Sequence, residues 1–269
     1  MTLDTSPVTI PGKNLSEAWA RAFLLSYDAP QGIIAPGIVS FPVDEKNPEW
    51  TLETLGIRDA LEDQLDEFDI CSANQSNIET VAGTIFPETI WKRCGGDRET
   101  LRKTYLKMWP QIKKCKANRW GTYFKRLISY SDQGVNQLQA IIDAWDKKIL
   151  RRSALQAGIF DPCRDHRLEP FLGFPCLQQV VFHPIGPKGR YGMKVVALYA
   201  NQLLMEKAYG NYLGLYRLGK FMAGEMGLTL KRVTCIATHL KRSDNRRSRR
   251  KADLAGLVSE LRKELPDAN

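Results

Sequence analysis

The stretch Gly173-Phe174-Pro175-Cys176-Leu177-Gln178-Gln179-Val180-Val181-Phe182 joins a turn signal to a run that reads as a strand over residues 177–182. A cysteine stands at the junction. Working outward, residues 153–160, 193–199 and 232–240 read as further strands, and so does 120–130, which is rich in aromatic and β-branched residues. Residues 33–43 read as extended chain interrupted by Pro36-Gly37. Between these runs the spacing turns helical. Residues 14–27 place Leu15, Trp19 and Phe23 on one face behind a capping residue, and 51–68 form a helix whose acidic end faces solvent. Residues 78–91 read as a helix broken near Pro87, and 98–108 as a basic helix after which Pro110 restarts the chain. Residues 135–149 carry Leu138, Ile141, Ile142 and Trp145 on one face, and 211–226 carry Leu215, Leu218, Met222 and Met226 in a stripe ended by Gly227. An amphipathic helix over 251–265 closes the chain. Helices and strands mix without a regular βαβ alternation, so the expected class is α+β, one domain over residues 1–269.

Composition narrows the function classes. No apolar run approaches the roughly 18 residues of a membrane span, and the first residues carry neither a basic leader nor an apolar segment, so a soluble, cytoplasmic protein without a membrane partner is expected. Six cysteines without a C-x-x-C pair and only three histidines argue against a zinc site. A formal charge of +9 directs attention to anionic partners, whether nucleotides, folates or nucleic acid.

In chain order, the informative residues are Glu88 in Pro87-Glu88-Thr89-Ile90-Trp91, the segment Trp120-Gly121-Thr122-Tyr123-Phe124, and Arg151-Arg152. Pro175-Cys176, Gly210-Asn211 and Thr238-His239-Leu240 follow. This order resembles the thymidylate synthase and pyrimidine hydroxymethylase superfamily over roughly residues 76–241. The resemblance implies a mixed sheet packed with helices, with a sheet face forming a homodimer interface. It implies that Cys176 is the nucleophile that adds to C6 of a pyrimidine, a role requiring thiolate and therefore nearby cations. It gives Glu88 to proton transfer and Arg151-Arg152 to the phosphate of the partner subunit's nucleotide. It gives Asn211 to the pyrimidine edge and His239 to the ribose. An asparagine at 211 leans toward uracil; the bland alternative is a helix N-cap.

Several positions depart from that family. Where it reads Arg-Ser-x-Asp, this chain reads Tyr199-Ala200-Asn201-Gln202, so an arginine on phosphate and an aspartate on the folate pterin are absent. Lys241 stands where the family has a ribose-binding tyrosine, and the chain after His239 is short. The carbon donor is therefore open, since the contacts for a reduced folate are poorly retained. Seven of the eleven residues from Lys241 to Lys251 are basic, which suits either a solvated loop or a nucleic-acid contact. Two expectations follow. One is a nucleotide-biosynthesis transferase, of methyl- or hydroxymethyltransferase type, that modifies C5 of a pyrimidine nucleotide or related compound as a homodimer; the other is an inactive homologue that binds nucleotide or nucleic acid.

Overall fold

The structure, a computed structural model, describes residues 6–68, 77–149, 151–166, 168, 174–187, 191–244 and 250–265. Its strands are β1 (Val8–Pro11), β2 (Ile33–Ile34), β3 (Gly37–Pro42), β4 (Gln156–Gly158), β5 (Leu177–Ile185), β6 (Gly192–Tyr199), β7 (Gln202–Leu203), β8 (Leu230–Ala237) and β9 (Leu240–Lys241). Its helices are α1 (Leu15–Asp28), α2 (Leu55–Glu67), α3 (Ile78–Ile85), α4 (Glu88–Arg93), α5 (Arg98–Ile112), α6 (Tyr123–Ile128), α7 (Gln137–Asp146), α8 (Pro162–Asp165), α9 (Tyr209–Glu225) and α10 (Ala255–Glu264). The class is α+β.

Local chemistry sets many of these boundaries. Asn14, Asn77, Asp97, Thr122 and Asn136 each accept a hydrogen bond from the backbone N–H three residues on, opening α1, α3, α5, α6 and α7. The cap at Thr122 also explains a correction. Residues 120–130 form no strand; instead Phe124, Leu127 and Ile128 recur at helical spacing and bury one face of α6. A second correction concerns Pro110, which lies inside α5 rather than restarting the chain. There its ring removes the N–H that would donate to the Leu106 carbonyl, and the helix ends two residues later, at Ile112. Residues 153–160 supply a strand only over β4, and the strand expected over 232–240 ends at Ala237 before β9 begins.

The larger sheet has six strands in the order β1-β3-β8-β6-β5-β4. Its pairings are mixed: β1 with β3 and β6 with β8 are parallel, and the rest antiparallel. Alternate residues Val180 and Phe182 of β5, Val195 and Ala197 of β6, and Val233 and Cys235 of β8 are buried and belong to one apolar cluster with α1 and α9. The opposite side chains, among them Val181, Val196, Leu198 and Ile236, are half-buried. A smaller sheet, β2-β9-β7, closes one end. It changes the reading of the basic run, because Lys241 belongs to β9 and Arg242 is 7% exposed. Nη1 of Arg242 donates to the carbonyls of Ser26 and Tyr27 at 3.3 and 3.4 Å. The run therefore begins as structure rather than as a loop; its residues 245–249 lie outside the described residues.

Helix α9 is packed on both sides, against the sheet and against α3. Glycines make both approaches feasible. A Cβ at Gly210 would fall 2.6 Å from Val81 Cβ, and one at Gly214 would fall 2.8 Å from Ile85 Cβ. On the sheet side, a Cβ at Gly219 would lie 2.9 Å from Val195 Cγ2. Such distances leave no room for a methyl group. Gly214→Leu should therefore lower unfolding stability by about 1–3 kcal/mol or more, measured by urea denaturation. Gly224, exposed on the same helix, supplies the contrast, because a Cβ added there would meet nothing within 4 Å. Gly224→Ala should raise stability by roughly 0.5–1 kcal/mol. Equal effects from both substitutions would contradict the packing argument.

Candidate functional site

Sheet register brings the candidate nucleophile to its place. Leu177 pairs with Tyr199 across β5 and β6, so Cys176 lies opposite Ala200, whose N–H donates to the Cys176 carbonyl at 2.9 Å. The carboxamide of Gln178 donates to the carbonyls of Pro175 and Cys176 at 2.7 and 3.2 Å. On the far side of Ala200, its carbonyl accepts from the Thr238 hydroxyl at 2.6 Å. The cysteine backbone is thereby fixed from two directions before any ligand arrives.

Cys176 opens into a cavity of about 470 Å³. One part of its wall is aromatic: Trp120, Tyr123 and Phe174 line it, with the last two rings stacked at 5.2 Å. Another part is made of carboxamides, from Asn201, Gln202 and Asn211. Asn211 follows Gly210 on the first turn of α9, so the close contact with α3 determines where its carboxamide stands. It is 4% exposed. Gln202 is held by Tyr212, whose hydroxyl donates to Oε1 at 3.2 Å, and by the His239 carbonyl, which accepts from its backbone N–H at 2.9 Å. Its Nε2, the Oδ1 of Asn201 and the Nε1 of Trp120 are buried without a hydrogen-bonding partner among the described residues. Leaving such a group unpaired costs about 1–3 kcal/mol, so their concentration around one cavity indicates a polar ligand.

Lys207 also lines the cavity, reaching it from a π-helical turn over Leu204–Ala208 that leads into α9. Burial lowers its pKa, while Glu206 and the Cys176 thiol push in the opposite direction. Cys176 shows the reverse shift: burial pushes the thiol up, Lys207 draws it down and Asp244 pushes it up again. The resemblance calls for nearby cations to favour thiolate; Lys207 acts in that direction here, and burial of the thiol opposes it. Tyr123 behaves similarly, its phenol raised by burial and opposed by hydrogen bonds from the backbone of Leu177 and Cys176.

Of the residues singled out in the sequence, Cys176 and Asn211 come together in this cavity. The others stand elsewhere. Glu88 opens α4 and is paired with Arg217 at 3.1 Å and Lys92 at 3.4 Å, while Val81 and Thr84 of α3 face the cavity instead. Arg151 and Arg152 are exposed just before β4, and Arg152 donates to the Pro184 carbonyl at 2.9 Å and contacts the His183 ring. His239 touches the site through its backbone carbonyl, and its ring is not part of the lining. Sequence reasoning missed Lys207 and Phe174 as lining groups, and it singled out the segment from Trp120 to Phe124 without giving Trp120 a role. The visible signal for Lys207 was the charged pair Glu206-Lys207 between the apolar Leu203-Leu204-Met205 and Ala208-Tyr209.

Among the described residues, no cluster of His, Cys, Asp or Glu is able to hold a metal ion, and no helix is long and apolar enough to cross a membrane. No protein-family model matches the chain, and no curated protein sequence matches it significantly.

The opposed shifts of Cys176 and Lys207 have a direct consequence. Alkylation of Cys176 by iodoacetamide, followed by peptide mass spectrometry, should show a midpoint above the ordinary thiol value of about 8.5. Lys207→Met should move that midpoint further up, because it removes the cation that favours thiolate. A midpoint below the ordinary thiol range would contradict this description.

Proposed function

We propose that the chain is a divergent thymidylate-synthase-like protein that modifies C5 of a pyrimidine nucleotide or related compound through a covalent adduct at Cys176. The observation that carries this reading is that Cys176 and the carboxamide of Asn211 open into one cavity, with aromatic walls and further unpaired carboxamide atoms around them. A planar ring bearing amide-like edges satisfies both kinds of wall at once. Asn211 presents a donor and an acceptor together, matching O4 and N3–H of a uracil ring.

The first chemical step uses only groups in the cavity. Lys207, whose pKa burial lowers, accepts the thiol proton, and its ammonium then stabilises the thiolate. Sulfur bonds to C6, the C5–C6 π pair moves to C5 and O4, and the developing oxyanion is met by the N–H of Asn211. C5 then takes a proton or another electrophile. Departure of the C5 hydrogen as a proton and of the thiolate from C6 restores the ring.

A reduced folate fits the cavity poorly. Among the described lining residues there is no carboxylate to bind a pterin, and Asn201, Gln202 and Leu203 occupy the corresponding stretch. No step is assigned to that cofactor. The homodimer is part of the proposal as well: the exposed Arg151-Arg152 pair and the half-buried Val181, Val196, Leu198 and Ile236 on the outer sheet face suit a second copy of the chain. One observation favours the alternative of a binding protein without turnover, namely that Glu88 is engaged by Arg217 away from Cys176.

Incubation with a panel of 5-fluoropyrimidine nucleotides, read by intact-protein mass spectrometry, separates the two. The proposal expects an added mass of one nucleotide per chain, lost in Cys176→Ala; binding without any adduct would favour the non-catalytic alternative. Asn211→Asp should weaken uracil-nucleotide binding by about tenfold or more and favour cytosine nucleotides. Unchanged preference would remove Asn211 from base recognition.

A further inference from the structure

The segment Arg119-Trp120-Gly121 forms part of two cavities. Besides the cavity at Cys176, it lines another of about 410 Å³, on whose walls five cations, Lys113, Arg119, Lys125, Arg126 and Arg164, meet the single carboxylate of Asp165. Two of these charges are internally compensated. Arg126 and Asp165 form a bidentate pair at 2.8 Å with side chains 7% and 4% exposed, and Arg164 is paired with Asp132 and Asp161.

Lys113, Arg119 and Lys125 have no ion-pair partner among the described residues. Lys125 is the most constrained of them. Its ammonium donates to the Ser129 carbonyl at 3.4 Å and lies 5.9 Å from the ring centre of Trp109. Burial lowers its pKa, with further lowering from Arg164, Arg126 and Arg102. A cation partly withdrawn from water and crowded by like charges is costly, and an anion in the cavity relieves both penalties. Arg119 adds a guanidinium lying 5.1 Å from the Trp120 ring centre, and its planar fork of N–H donors matches phosphate oxygens. An anion of one charge would leave most of the excess uncompensated, whereas a phosphate chain carries several charges on closely spaced oxygens.

We propose that this second cavity is a polyphosphate site, taking the phosphate chain of a nucleotide on Lys113, Arg119 and Lys125 between walls formed by Trp109 and Trp120. The site stands independently of the chemistry assigned to Cys176. It also differs from a contact through the basic run at 241–251, which belongs to another part of the chain.

Isothermal titration of the full chain with inorganic tripolyphosphate, and separately with a purine nucleoside triphosphate, which the pyrimidine cavity at Cys176 does not take, tests it. Both should bind at one equivalent per chain, with affinity falling as salt rises. Lys113 and Arg119 are exposed and make no ion pair among the described residues, so Lys113→Gln/Arg119→Gln should leave the fold intact and weaken both ligands by about tenfold or more. Lys125→Met should do the same, and Trp109→Phe should lose part of the ligand-induced fluorescence change. Cys176→Ala should bind as the unaltered protein does. Absence of saturable binding, affinity indifferent to the Lys113 and Arg119 substitutions, or binding confined to oligonucleotides would each overturn the proposal.

Discussion

Helix α9 can lie against both the sheet and α3 only because the contact positions lack side chains. Gly210 and Gly214 admit α3, and Gly219 admits Val195 of β6. That close packing fixes the first turn of α9, and with it the carboxamide of Asn211. The turn before it carries Lys207, and the strand before that carries Gln202. The register of β5 against β6 then fixes Cys176 against Ala200, immediately before this segment. Sheet pairing and helix packing thus converge on one short stretch of chain, residues 200–211.

The polar groups gathered there are expensive in the free protein. A raised thiol, an amine lowered by burial and three buried polar atoms without partners among the described residues all describe a partly buried polar site. Natural interiors keep few such groups, since each costs about 1–3 kcal/mol when unpaired. A ligand with matching donors and acceptors converts those costs into binding energy. The same logic applies at the neighbouring basic cavity, where the cost is burial of the Lys125 ammonium, with like-charge repulsion added. In both places the strain is local and the surrounding backbone is well bonded, which is how a fold keeps a site preorganised.

Much of the fold was legible in the sequence because the periodic segments were long. The stripe on α9, the strands β5 and β6, and the break at Pro87 between α3 and α4 all carry strong spacing or punctuation. Residues 120–130 misled because aromatic and β-branched composition favours a strand, whereas the Thr122 cap and tertiary burial of Phe124, Leu127 and Ile128 decide for a helix. At the site, Cys176 and Asn211 were legible through their order in the chain. Lys207 was not, because its role depends on a π-helical turn that has no plain sequence signature. Glu88 lies at the start of a helix whose direction is set after Pro87, and that direction hands it to Arg217. Local sequence carries no information about such a turn.

The central claim is that Cys176 adds reversibly to C6 of a pyrimidine ring while Asn211 holds its edge. Exchange of the C5 hydrogen for deuterium, followed by NMR with uridine and deoxyuridine nucleotides in deuterated water, measures that addition without any carbon donor. The proposal predicts exchange that depends on the protein, disappears in Cys176→Ala and slows in Lys207→Met. Nucleotide binding without C5 exchange under any condition would contradict it.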